Sequence, residues 1–172
     1  GIGKIVNPMS SKIQTFFGLT VRNLTKTHDQ DAGPLLMGQT MLSLHNLGGA
    51  RYEPYALFGD LKSGLELPVK DERFIRNFTE AVGLTRKTEP GLSLAVPFPI
   101  DDFTPNSIAE AVIRHYFYPI VEKRLVVEIS NNASETKRID HSNIEALASE
   151  IGEEIAQLIA FTKRAQSRLT SE

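Results

Sequence analysis

The stretch Ile13-Gln14-Thr15-Phe16-Phe17-Gly18-Leu19-Thr20-Val21 carries apolar residues largely at every second position, with Ile13, Phe17, Leu19 and Val21 in step. A period of two is typical of a β-strand that has one buried face. Leu35 to Leu44 is a second apolar segment of this kind, and the segment between them, Asn23 to Pro34, is polar and contains Gly33 and Pro34. Such a polar segment indicates a turn. The sequence therefore predicts an antiparallel hairpin with a long tip.

Downstream of the hairpin, Tyr52 to Phe58 predicts a third strand interrupted by Pro54, and Gly59 to Lys70 predicts a loop. Asp71 is a suitable N-cap for a helix that runs to about Val82, since a carboxylate oxygen can accept from the free N–H groups of the first turn. Gly83 suits the position just after the helix. Leu92 to Phe98 predicts a further strand that follows the Pro90-Gly91 turn.

The second part of the chain begins with Thr104 and Pro105, a typical N-cap and first helical residue, and the helix is predicted to reach about Tyr118. A strand over 123–130 and a short partner near Thr136 to Ile139 follow. Ser142 and Glu145 fit a capping box, so we expect them to begin one long helix over 144–162. The expected fold is α+β, a mostly antiparallel sheet with helices packed on one face.

Composition narrows the functional classes. The 172 residues are 41% hydrophobic and carry 19 basic and 21 acidic side chains, a net charge of −2. This charge argues against nucleic-acid binding by the chain as a whole, and no stretch approaches the roughly 20 apolar residues of a membrane span. Cysteine is absent, which excludes disulfides and thiolate chemistry. We expect a soluble, cytoplasmic protein.

The chain opens on Gly1-Ile2-Gly3-Lys4. Glycines let backbone N–H groups approach a phosphate closely, and a lysine behind them supplies a mobile positive charge. A phosphate loop is expected to follow a strand, and the sequence shows no such strand before Gly1. Two interpretations stay open: an accident of the terminus, or the downstream part of a nucleotide-binding domain.

The order of motifs resembles part of the GHKL superfamily, which contains gyrase, histidine kinases, the ninety-kilodalton heat-shock chaperones, MutL and the MORC group. The Gly1–Lys4 run followed by a strand resembles the second glycine box and ATP lid. Leu36-Met37-Gly38-Gln39 and Leu44-His45 resemble the hairpin that follows, and Arg86-x-x-Glu89-Pro90-Gly91-Leu92-Ser93-Leu94-Ala95-Val96-Pro97 is similar to the strand that closes the nucleotide-binding sheet. The resemblance covers about residues 1 to 130.

The resemblance implies that residues 1–100 are the C-terminal part of a GHKL-like ATP-binding domain, and that 101–172 form a transducer-like helix-strand-helix extension. It implies ATP and Mg²⁺ as ligands of the parent, with nucleotide contacts from Gly1, Ile2, Gly3, Lys4 and Ser93. The superfamily's catalytic glutamate, magnesium-binding asparagine and adenine-reading aspartate would all precede Gly1. We therefore expect the parent to be an ATP hydrolase and the isolated chain to lack hydrolysis.

One departure concerns the adenine side of the site. The threonine expected after Gly91 is Leu92 here, and a hydroxyl follows only at Ser93. The hydroxyl that would reach adenine through water is therefore either displaced by one residue or absent.

Other polar residues fit structural roles better than functional ones. His45 and His115 are expected to be packed or surface histidines, and the four histidines show no metal-ligand spacing. Arg86 and Glu89 are expected to form a local charge pair, and Asp101-Asp102 a solvated entry to a helix. Lys163, Arg164 and Arg168 are expected to be a solvated helix end, with contact to a protein partner or to nucleic acid as the minor alternative.

Two functions from different classes remain. The first is an ATP-binding segment of a GHKL-type ATPase whose nucleotide state drives a conformational or dimerisation switch. The second is a non-catalytic protein-interaction or dimerisation module. Both predict self-association or a protein partner, because exposed strand edges favour pairing.

Overall fold

The structure, a computed structural model, describes residues 10–22, 33–62, 64–86, 88–130 and 136–169. The chain divides into two compact units, Gly1–Ile100 and Asp101–Glu172. Both helices and antiparallel strands are present, which confirms the predicted α+β class. In the first unit the elements are β1 (Thr15–Val21), β2 (Pro34–Met41), β3 (His45–Leu47), β4 (Ala50–Tyr52), β5 (Tyr55–Phe58), β6 (Asp60–Lys62), β7 (Leu65–Leu67), α1 (Glu72–Ala81) and β8 (Gly91–Ala95).

The first unit is built on a four-stranded antiparallel sheet with the order β5-β2-β1-β8. β1 and β2 pair as the predicted hairpin, with Leu19 opposite Leu36 and Phe17 opposite Gly38. β8 joins the other side of β1, where Ser93 lies opposite Leu19. Gly38 is required here because a Cβ at this position would lie 2.5 Å from the Phe17 ring.

Helix α1 packs on one face of this sheet, as predicted. The Asp71 side chain accepts a hydrogen bond from the Phe74 amide at 2.7 Å, which caps the first turn. Ile75 then lies in a small core together with Leu19, Leu36 and Val69. Three further apolar residues pack against this core: Phe17, Phe78 and Leu84.

The connections between these elements differ in part from the prediction. The expected loop over Gly59 to Lys70 is wrong, because β6 and β7 form a hairpin that turns at Gly64, whose φ is +81°. The expected strand over Tyr52 to Phe58 is divided at Pro54 between β4 and β5. Leu61, Leu65 and Leu67 are all exposed, so the β6–β7 hairpin shows no alternation of buried and exposed positions that a sequence pattern could reveal.

Over 101–130 and 136–169, the second unit packs three helices with a two-stranded hairpin. Its elements are α2 (Pro105–Val121), β9 (Val127–Ser130), β10 (Thr136–Ile139), α3 (Ile144–Ile151) and α4 (Glu153–Leu169). Thr104 and Ser107 cap α2 reciprocally, and the helix continues past Pro119 because Ile120 and Val121 are buried. The core contains residues from all three helices and the hairpin: Ala109, Ile113, Ile120, Val121, Ile129, Ile139, Ile144, Ala148, Ile155 and Ile159.

The single long helix predicted over 144–162 is wrong. Gly152 adopts an extended conformation between α3 and α4, and both helices use it as a cap: its N–H bonds to the Ala148 carbonyl and its own carbonyl accepts from Ala156. The predicted capping box at Ser142 and Glu145 is wrong as well. The N-cap is Asn143, without a side-chain bond to the helix, while the Ser142 hydroxyl donates to Asp140 and Glu145 pairs with Lys163 at 3.1 Å.

Among the described residues, no helix is long and apolar enough to cross a lipid bilayer.

Candidate functional site

The loop between α1 and β8 surrounds an open cleft of about 500 Å³ in the first unit. The loop begins at Gly83, which ends α1 with a φ of +70°, and ends where Gly91 opens β8. Six residues line the cleft: Gly83, Leu84, Thr85, Arg86, Glu89 and Ser93. The cleft brings together a basic group, an acidic group and two hydroxyls, so it can accept a polar ligand.

Arg86 is the group that organises this cleft. Its Nε donates to the Ser93 hydroxyl at 2.9 Å, and its Nη1 donates to the backbone carbonyls of Glu89 and Pro90 at 3.0 Å. A guanidinium presents several N–H groups in one rigid plane, which lets a single side chain hold both the turn and the strand. Arg86 was expected to form a charge pair with Glu89, but among the described residues it contacts Glu89 through the backbone carbonyl and not through the carboxylate.

Gly91 allows this arrangement. Its φ is +145°, a region that side chains rarely adopt, and a Cβ there would lie 2.8 Å from Arg86 Nη1. Glycine is therefore the residue that lets the guanidinium lie against the backbone at the start of β8. The spacing Arg86-x-x-Glu89-Pro90-Gly91-x-Ser93 is the sequence signal for this unit, and the bond from Arg86 to Ser93 is the part that sequence reasoning missed.

The register of β8 decides which of its side chains can act in the cleft. Ser93 lies opposite Leu19, on the face of the sheet that α1 covers, while Leu92 lies opposite Thr20 and points to the other face. A displacement of one residue along a strand moves a side chain to the opposite face. The hydroxyl of Ser93, and not a residue at position 92, therefore belongs to the α1 side of the sheet.

Of the five residues expected to contact nucleotide, the structure places one. Ser93 lies in the cleft, and Gly1, Ile2, Gly3 and Lys4 lie outside the described residues.

The remaining polar candidates are the two histidines and the Asp101-Asp102 pair. His45 stacks on Tyr52 with ring centroids 5.5 Å apart, and its Nδ1 lies 3.0 Å from the Ser43 carbonyl. His115 is exposed on α2, and Asp101 and Asp102 are exposed in the turn before that helix. Within the part of the chain that the structure describes, no three His, Asp or Glu side chains lie close enough to hold a metal ion.

An electrostatic cluster in the second unit joins the β9–β10 hairpin to the turn before α3. The Ser142 hydroxyl and the Arg138 guanidinium both donate to Asp140, at 2.6 and 2.9 Å, and hold the pKa of its carboxyl at about 2. Arg138 also pairs with Glu128 across the hairpin at 3.1 Å. These groups satisfy one another, so we assign the cluster to folding.

A second surface of the first unit is apolar and exposed. The sheet face opposite α1 carries Leu57, Leu92 and Leu94, which are 46%, 58% and 44% exposed. The outer strands of this sheet, β5 and β8, each pair on one side only within the sheet as described. An apolar face with open strand edges is suited to pairing with another chain.

Comparison with protein-family models, with curated proteins and with solved structures returns no match to this chain.

Proposed function

We propose that this chain is the lid-side and closing-strand segment of a cytoplasmic GHKL-type ATPase, and that it contributes part of a site for ATP and Mg²⁺. The nucleotide state of that site would drive a conformational or dimerisation switch. The segment itself binds nucleotide without hydrolysing it, because the glutamate and asparagine that the resemblance assigns to catalysis have no counterpart in its motifs. The observation that carries the proposal is the Arg86–Ser93 pair in the cleft beside α1.

The chemistry of this pair suits a purine. Arg86 can only donate, so the Ser93 oxygen accepts from it. The hydroxyl proton of Ser93 is then available to donate to an acceptor, directly or through water. Adenine offers ring nitrogens as acceptors, and the water-mediated contact that the resemblance implies needs a donor of this kind.

The phosphate side of the proposal rests on Gly1 to Lys4. Backbone N–H groups of a glycine-rich turn bind phosphate oxygens, and a lysine ammonium neutralises the γ-phosphate. Removing the Lys4 ammonium should therefore affect ATP more strongly than ADP.

Titration of the 172-residue chain with a fluorescent ATP analogue and Mg²⁺ tests the proposal. We expect saturable binding, and a dissociation constant that is roughly two- to thirteenfold higher for Ser93→Ala, since one hydrogen bond contributes about 0.5–1.5 kcal/mol. Lys4→Ala should weaken binding of the ATP analogue more than binding of the ADP analogue. Ser149→Ala is the matched control, because the Ser149 hydroxyl bonds only to the Glu145 carbonyl on α3. Absence of saturable binding at millimolar nucleotide contradicts the proposal.

A protein-interaction module is the second candidate, and the exposed Leu57, Leu92 and Leu94 on the open sheet face favour it. In that case an extended segment of another protein would add to the edge of β8. A folded chain that binds no nucleotide in the titration, and whose β8 amides become protected from hydrogen exchange only when a partner is added, would support this candidate over the first.

A further inference from the structure

Helix α4 has two distinct faces. One face places Ile155 and Ile159 in the core of the second unit. The other carries a row of residues spaced four, three, four and three apart, with Leu158 and Phe161 45% and 67% exposed. Its members are Glu154, Leu158, Phe161, Ala165 and Arg168, and we call them the α4 row.

The α4 row is separate from the core. At about 100° per residue, the row is centred about 120° around the helix from the buried face. Spacing of four and three residues is typical of a seam between two packed helices. A shallow cleft beside the row is lined by Phe161, Arg164, Ala165 and Arg168, so the apolar centre has room for a partner side chain.

The charges of the row are arranged symmetrically about Phe161. Glu154 lies seven residues before it and Arg168 seven residues after it. Neither side chain has an ion-pair partner among the residues that the structure describes. The row therefore has an acidic end, an apolar centre and a basic end.

A row with this arrangement is complementary to itself when it is reversed. If two copies of α4 pack antiparallel about a two-fold axis near Phe161, the two Phe161 rings meet and each Glu154 faces the other copy's Arg168. Parallel packing would instead oppose like charges at both ends, which is unfavourable. Self-complementarity of one patch is what a two-fold symmetric dimer requires.

We propose that the chain forms a homodimer in which α4 packs antiparallel against α4 of a second copy through the α4 row. The dimer goes beyond the nucleotide proposal and does not depend on it. The helix is only about 25 Å long, so the interface is small, and we expect a reversible dimer that dissociates in the micromolar range.

Sedimentation equilibrium of the 172-residue chain without nucleotide tests the dimer. We expect Glu154→Arg and Arg168→Glu each to raise the dissociation constant at least about tenfold, because each places like charges at both ends of the interface. The double variant, and an equimolar mixture of the two single variants, should restore association. Glu153→Arg is the matched control: it makes the same charge change in the same helical turn, about 100° around the helix from Glu154.

The absence of cysteine allows a second test of orientation. When Glu154→Cys and Arg168→Cys chains are mixed and oxidised, an antiparallel pair gives the mixed disulfide between the two variants. Disulfides within each variant alone would indicate parallel packing and overturn the proposal. A chain that is monomeric at every concentration, or whose association is unaffected by the single charge reversals, would overturn it as well. The second of these outcomes would exclude the α4 row as the interface.

Discussion

The bond from Arg86 to Ser93 makes a quantitative prediction. In a double-mutant cycle, Arg86→Ala, Ser93→Ala and the double variant are compared with the unchanged chain. The Nε to Oγ distance is 2.9 Å and Arg86 is half-buried. Hydrogen bonds to charged groups contribute about 1.5–3 kcal/mol, and partial exposure lowers this, so we expect a coupling of about 1 kcal/mol in the free energy of unfolding.

The two single variants should lose different amounts of free energy of unfolding, because they remove different numbers of hydrogen bonds. Arg86→Ala also loses the two bonds to the Glu89 and Pro90 carbonyls at 3.0 Å. Water can replace the guanidinium at these exposed carbonyls, so these bonds add about 0.5 kcal/mol each. We therefore expect losses of about 2 kcal/mol for Arg86→Ala, about 1 kcal/mol for Ser93→Ala and about 2 kcal/mol for the double variant.

Urea denaturation followed by circular dichroism measures these losses as shifts of the midpoint at constant slope. The transition of the first unit is identified as the one that Leu36→Ala shifts, since Leu36 is fully buried in its core. Arg73→Ala, an exposed arginine on α1, is the control and should leave the midpoint in place. Losses that add within about 0.3 kcal/mol would refute the coupling and, with it, the role of Arg86 in holding the Ser93 hydroxyl.

Three further predictions concern packing, backbone and charge. Ile159→Ala should lower the free energy of unfolding of the second unit by about 3 kcal/mol, because the Ile159 side chain is fully buried. The neighbouring Leu158→Ala should lower it by less than about 1 kcal/mol in the monomer, and the urea midpoints of dilute samples compare the two variants. Gly91→Ala should destabilise the first unit by about 1–3 kcal/mol because of its φ of +145° and its contact with Arg86, measured in the same way. The ionised Asp140 carboxyl should stabilise the fold above its unfolded pKa near 3.8, and this stabilisation should be lost as the pH falls towards its folded pKa of about 2. Thermal unfolding measured from roughly pH 5 to 2 should therefore show a midpoint that depends less on pH for Asp140→Asn than for the unchanged chain.

Local signals were sufficient where neighbouring residues decide the conformation. The Asp71 side chain and the Thr104-Pro105 pair begin their helices as predicted, because a cap acts within three residues of the first turn. The hairpin of β1 and β2 was predictable because Phe17, Leu19 and Val21 of β1 follow a period of two and a polar segment separates the two apolar stretches.

The same kind of signal failed where several local solutions compete. Ser142 and Glu145 satisfy a capping pattern, but Asp140 offers the Ser142 hydroxyl a bond at 2.6 Å and Lys163 pairs with Glu145. The apolar pattern continues across Gly152, although one helix ends and the next begins there. Because the two helices are separate, Ile144 of α3 and Ile159 of α4 both lie in the same core.

The candidate site was likewise predictable only in part. The motif order and the residue types at Arg86, Gly91 and Ser93 were visible in the chain, but the side of the sheet on which Ser93 lies was not. That side is set by the pairing of β8 with β1, and a shift of one residue would reverse it.

Periodicity and contacts a few residues apart are enough to predict the α+β class, most of the helices and strands, and the residue types at Arg86, Gly91 and Ser93. Three features appear only in the folded chain: Arg86 donates to Ser93, α3 and α4 are separate helices, and α4 carries an exposed row beside its buried face. These features depend on contacts between elements that are distant in sequence, where burial and register outweigh local preference.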